Sequence, residues 1–141
     1  MPVFHDDNDL YLCVGGMMQK ATTDEAMGSK IRDSQLVIRF VYDNPKATIT
    51  VDAKSDPPEG AFFRVLYGEN DLVPDVLMTM NADVAHRFWL GKVNLTAALT
   101  RREIVAHGPI AKILKLLPAI KPAYTLYPEH LKEIGRAELA G

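Results

Sequence analysis

A single cysteine, Cys13, stands among 141 residues. It leaves no internal disulfide to form, and with that the small cross-linked scaffolds are excluded. Four histidines, His5, His86, His107 and His130, are dispersed without the short spacings of a zinc site. Excess charge of one sign is missing too, since 16 Lys and Arg face 18 Asp and Glu for a formal net charge of -2. Nucleic-acid binding, which runs on dense positive charge, therefore has no support. Apolar runs fall far short of the ~20 residues that cross a bilayer. The start "MPVFHDDNDL" lacks the basic-then-apolar order of a secretory leader. These absences predict a cytoplasmic protein without a structural metal.

Catalytic motifs are equally scarce. Neither G-x-G-x-x-G nor G-x-x-x-x-G-K-[ST] occurs, so a phosphate loop is absent, and there is no G-x-S-x-G for a serine nucleophile. Ser29, Ser34 and Ser55 fall at predicted helix ends or turns. His86 is placed on the outward side of its helix and His107 at a strand end, and neither has a visible partner that would make it a base. "HDDND" (His5 to Asp9) offers carboxylates, but it precedes a helix, whose N-terminal dipole favours acidic residues. Cys13 reads as a small buried hydrophobe. Arg101-Arg102 is too small a cluster for phosphate recognition, though it could steer an anionic head group. The sequence predicts no catalytic residue, no cofactor and no enzyme activity.

What is present is the raw material of one core. With 48% hydrophobic residues in a length typical of one domain, residues 1–141 are expected to form a single unit. Leu10, Val14, Met17 and Met18 suggest a first helix, which Gly15-Gly16 is expected to break. Thr23 is the expected N-cap of a second helix running to about Asp33. "LVIRFVYD" and "ATITVDAK" alternate as strands joined by the Asn44-Pro45 turn, and "AFFRVLYG" and "DVLMTM" continue the sheet as an antiparallel meander. Asn81 caps a helix over "ADVAHRFWL" that Gly91 ends, "NLTAAL" adds a helical turn, and "REIVAH" is a last strand. Pro109 opens the clearest helix, with Ile110, Ile113, Leu114 and Leu117 on one stripe. Pro118 and Pro122 limit its end, and a short helix is expected after Pro128. The order predicts an α+β fold with helices on one face of the sheet. From patterning alone, the aromatic, Met and aliphatic faces serve an ordinary packed core as well as the wall of a cavity.

The stretch "DVLMTMNADVAHRFWLGKVNLTAALTRREIVAHGPIAKILKLL" (Asp75 to Leu117) resembles the sterol carrier protein type 2 family of lipid-binding domains. The likeness lies in a strand ending in Met, a capped helix ending Gly91-Lys92, a small-residue bridge, a strand, a turn at Gly108 and an amphipathic helix. Residues 35–117 carry it, and 118–141 form a proline-punctuated tail. The resemblance implies a five-stranded, mostly antiparallel sheet with helices on one face and an apolar tunnel between them for a fatty acid, acyl chain, sterol-like or isoprenoid-quinone-like lipid. It implies that Phe40, Ile49, Val51, Phe63, Val65, Met78 and Met80 from the strands, Phe88 and Trp89 from the middle helix, and Ile110, Ile113, Leu114 and Leu117 from the next helix line that tunnel. Tyr124 and Tyr127 would lie over its mouth. Non-catalytic lipid carriage, with transient membrane contact, is the function so implied. The alternative is an accessory protein-interaction module for a lipid-metabolising enzyme, docking a partner or a second copy through the tail.

Overall fold

The computed structural model describes residues 2–141. Its first helical stretch runs without a break through α1 (Asp7–Leu10), a π-helical segment (Tyr11–Gly15) and α2 (Gly16–Ala21). Asp6 caps it, accepting a hydrogen bond from the Asp9 amide at 2.8 Å. Gly15 and Gly16 do not interrupt it, contrary to expectation, because both hold ordinary helical dihedrals. Their purpose is close approach. A Cβ on Gly15 would lie 2.6 Å from the Tyr67 ring, and one on Gly16 would overlap His130 Nε2. The His130 ring cannot retreat without giving up the hydrogen bond between its Nε2 and the Leu12 carbonyl at 2.8 Å. Gly16→Ala should therefore destabilise the protein by about 1–3 kcal/mol despite alanine's better helix propensity, as overpacking does. Urea unfolding checks this; a stabilised variant would show that the contact is soft.

Helix α3 (Glu25–Ser34) follows, and its cap is Asp24 rather than Thr23, with Asp24 accepting from the Met27 amide at 2.8 Å. The sheet has five strands: β1 (Val37–Asp43), β2 (Ala47–Asp52), β3 (Arg64–Tyr67), β4 (Val76–Asn81) and β5 (Ile104–His107), in the order β3-β2-β1-β4-β5. The meander ends after β3. Instead of pairing with β3, strand β4 lies beside β1 and parallel to it, so the sheet is mixed, with three antiparallel pairings and one parallel. The reason lies in residues 68–75, which cross from the β3 edge back to β1. Arg39, on the sheet face away from the helices, pins this crossing with Nη2 donating to Asn70 Oδ1 at 2.6 Å and to the Leu72 carbonyl at 2.8 Å. Asp75 then accepts from the Val37 amide at 2.8 Å, which delivers β4 to β1 in parallel register.

Period-2 alternation puts Ile38, Phe40 and Tyr42 on the same face as their register partners Val51, Ile49 and Ala47 of β2 and Val76, Met78 and Met80 of β4. All the helices pack on this face. Helix α4 (Ala82–Trp89) starts at Asn81, whose side chain accepts from the Asp83 amide, and gives way to Gly91 at φ +80°, as the sequence predicts. Helix α5 (Leu95–Thr100) leads into β5, and α6 (Ile110–Leu116) follows Pro109.

The tail is not a loose appendage. Helix α7 (Ala123–Glu133) is 11 residues long with Pro128 inside it rather than ahead of it. Ala123, Tyr127 and Leu131 are completely buried, and this i, i+4, i+8 stripe holds the helix together where proline forfeits one backbone hydrogen bond. Residues 123–133 thus belong to the packed domain, with the opposite face of α7 at the surface.

Candidate functional site

Sheet and helices do not close completely on each other. Three small voids lie in a row between them, and Phe40 and Trp89 form part of the wall of all three. The middle void, about 60 Å³, is bounded by Ile38, Phe40 and Met78 of the sheet, Phe88 and Trp89 of α4, Leu95 of α5, and Ile113, Leu116, Leu117 and Ile120 in and after α6. A second, about 50 Å³, extends toward the N-terminal helices, where Met18, Ala21, Met27 and Ile31 join Val51 and Phe63. A third, about 20 Å³, is the most enclosed and ends at Tyr42, Met80 and Ile104.

This alignment follows from local sequence rules. Strand alternation brings Phe40 and Met78 side by side in register. The Asn81 cap sets the phase of α4 so that Phe88 and Trp89 point back at the sheet, their rings edge to face at 4.8 Å. The α6 stripe then closes the third side. Polar groups are almost absent from the lining: only the Trp89 indole and the Tyr42 hydroxyl carry one. The Tyr42 hydroxyl is buried without a hydrogen-bond partner, and burial drives its pKa far above the ordinary phenol range.

Of the residues the resemblance points to, Phe40, Val51, Phe63, Met78, Met80, Phe88, Trp89, Ile113 and Leu117 line the voids. The structure does not bring the others there. Ile49 is fully buried in plain core at the centre of β2, opposite Tyr67, and Val65, half-buried on β3 opposite Val51, does not reach a void. Ile110 points outward at 37% exposure, and Leu114 packs half-buried on the flank of α6. Tyr124 sits on Gly91 and meets the Phe88 ring edge-on at 6.5 Å, so it backs the wall instead of covering a mouth. Tyr127 is buried elsewhere, its hydroxyl hydrogen-bonded to His86 Nδ1 at 2.7 Å.

That last contact corrects the reading of His86 as a surface residue. Its ring is 6% exposed, stands edge-on to Phe4 at 5.6 Å, and meets the Leu139 backbone, so it ties both ends of the chain to α4. Burial lowers its pKa, which keeps the ring neutral. Cys13 is fully buried, and burial together with the nearby Asp9 carboxylate pushes its thiol up to about 11, which suits an inert core position. Of the "HDDND" carboxylates, Asp6 caps the helix and Asp9 pairs with Arg136.

Sequence reasoning missed Leu116, which falls outside the Ile110, Ile113, Leu114 and Leu117 stripe, and Ile120, which lies beyond Pro118 in the turn after α6, where its amide bonds to the Leu116 carbonyl at 3.1 Å. Met18 is legible only as part of a generic helical face, and Met27 and Ile31, within the second predicted helix, are not singled out by the sequence.

No protein-family model and no curated protein matches the chain. Solved structures do. Sterol carrier protein 2 from Yarrowia lipolytica superposes with a TM-score of 0.63 at 16% identity, covering 79% of this chain and 89% of that one. The sterol carrier protein domain 2 of Helicoverpa armigera gives a TM-score of 0.62 at 21% identity, covering 85% and 94%. A protein described as UbiJ-SCP2, a ubiquinone synthesis protein, gives a TM-score of 0.57 at 16% identity, covering 79% and 88%. The chain therefore has the sterol carrier protein 2 fold.

Proposed function

We propose that this chain binds and carries one apolar lipid in the space between its sheet and its helices, without performing chemistry on it. The observation that carries the reading is the row of three apolar voids sharing Phe40 and Trp89. An ordinary core closes such gaps, because unfilled space forfeits dispersion contacts. The two sterol carrier proteins of the same fold support carriage of a lipid, and the ubiquinone synthesis protein supports a ligand range that extends to isoprenoid-quinone-like molecules. Absence of chemistry is supported by the lining, which pairs no nucleophile with a base.

The energetics suit the role. Each methylene withdrawn from water contributes about 0.8 kcal/mol, so an acyl chain gains affinity with hardly any polar contact. The voids are smaller than the ~300–1,000 Å³ typical of ligand sites, so binding must push a wall outward. Helix α6 is that wall: of its seven residues only Ile113 is buried, and its Pro109 cap makes no side-chain hydrogen bond. Elements with so few buried contacts open at low cost. Mass spectrometry under native conditions, followed by solvent extraction of the freshly purified protein, should find one lipid per chain. A mass equal to the bare polypeptide, with no displaceable fluorescent fatty acid, would refute the reading.

A further inference from the structure

Beside the row of voids, an open hollow of about 320 Å³ lies between α3 and α6, bordered by Lys30 and Asp33 on one helix and by Lys112 and Lys115 on the other. All three lysines are exposed. Among the described residues none of them forms an ion pair, and the carboxylate at the rim, Asp33, pairs instead with Arg32 at 3.3 Å. Leu116 belongs both to this hollow and to the middle and second voids, so its side chain stands between the cationic hollow and the apolar interior. At the other end of the row the third void reaches Tyr42, Met80 and Ile104, with no cation in its lining.

We propose that the hollow between α3 and α6 is the head-group seat of the ligand, and that the ligand is a single-chain amphiphile with an anionic carboxylate or phosphate head. The inference rests on the lipid-carrier reading above. A tail passing Leu116 reaches the apolar voids while its head stays among Lys30, Lys112 and Lys115. The reverse orientation would bury an unpaired anion beside Ile104 and Met80, which costs far more than chain burial returns. A neutral alcohol or sterol gains nothing from three unpaired ammonium groups. Exposed charge pairs are individually weak and screened by salt, so the preference should be modest at physiological ionic strength and larger in dilute buffer.

Isothermal titration of dodecanoate, dodecyl phosphate and dodecan-1-ol into the full chain and into Lys30→Gln/Lys112→Gln/Lys115→Gln tests this. The wild type should bind at least one of the two anions roughly tenfold more tightly than the alcohol. The triple variant, whose changes are all at the surface, should keep its melting temperature and its affinity for the alcohol while losing the preference. Whichever anion is favoured identifies the head as carboxylate or phosphate. Equal affinity for all three ligands in the wild type would overturn the seat and leave the tunnel standing. No binding of any of them would overturn the tunnel, and the seat with it. Retention of the preference by the variant, with loss of sedimentation on phosphatidylglycerol vesicles, would assign the lysines to a membrane surface and also overturn the seat.

Discussion

Leu116→Trp is expected to abolish lipid binding, weakening it by roughly a hundredfold or more, while leaving the protein folded. Leu116 borders the middle and second voids, about 60 and 50 Å³, and a tryptophan at this position fills the space an acyl chain would enter. It is half-buried on α6 rather than fully enclosed, so overpacking should cost about 1–3 kcal/mol, less than the domain's stability. Titration with a fluorescent fatty acid, together with a thermal melt, reads both quantities. Unchanged affinity in a folded variant would mean that ligand does not pass this point.

Tyr127→Ala should cost about 3–5 kcal/mol, a large part of the 5–15 kcal/mol that holds a domain of this size together. Tyr127 is completely buried on α7 and supplies the hydrogen bond to His86. Truncation opens a cavity and leaves a buried imidazole nitrogen unpaired. Tyr127→Phe separates the two effects and should cost about 1–3 kcal/mol. The same histidine sets a pH dependence. Burial holds its pKa below the ordinary value of 6.5, so the unfolded chain binds the proton more readily than the folded one. The neutral ring's contribution is therefore complete above about pH 6.5 and falls away as the pH drops toward the lowered folded value. Urea unfolding across that range measures it, and stability that rises on acidification would contradict the assignment.

Much of this architecture was legible because local rules agreed with tertiary packing. The Asn81 cap, the Gly91 terminus, the Asn44-Pro45 hairpin and the apolar face of β2 all follow from side-chain chemistry a few residues long. What escaped depended on distant partners. Gly15-Gly16 looked like a helix break because its reason to exist, the rings of Tyr67 and His130, lies far along the chain. Strand β4 looked like the next rung of a meander because alternation reveals a strand's faces and not its neighbour; the Arg39 and Asp75 contacts that decide it are non-local. Pro128 looked like a helix start because the burial of Tyr127 and Leu131 that outweighs it has no local signature. For the site, residue type pointed correctly at apolar walls, but only three-dimensional phase separates Ile113 and Leu117, which face the voids, from Ile110 and Leu114, which do not.

Trp89 offers the most direct measurement. It is the chain's one tryptophan and part of the wall of all three voids, so its fluorescence reports on the proposed binding space alone. Titration with a fatty acid brominated along its chain, a contact quencher, should extinguish this emission saturably at one molecule per protein, and an unbrominated fatty acid should restore it by competition. Saturable binding that leaves Trp89 unquenched would contradict the account, because the lipid would then lie outside the space between the sheet and its helices.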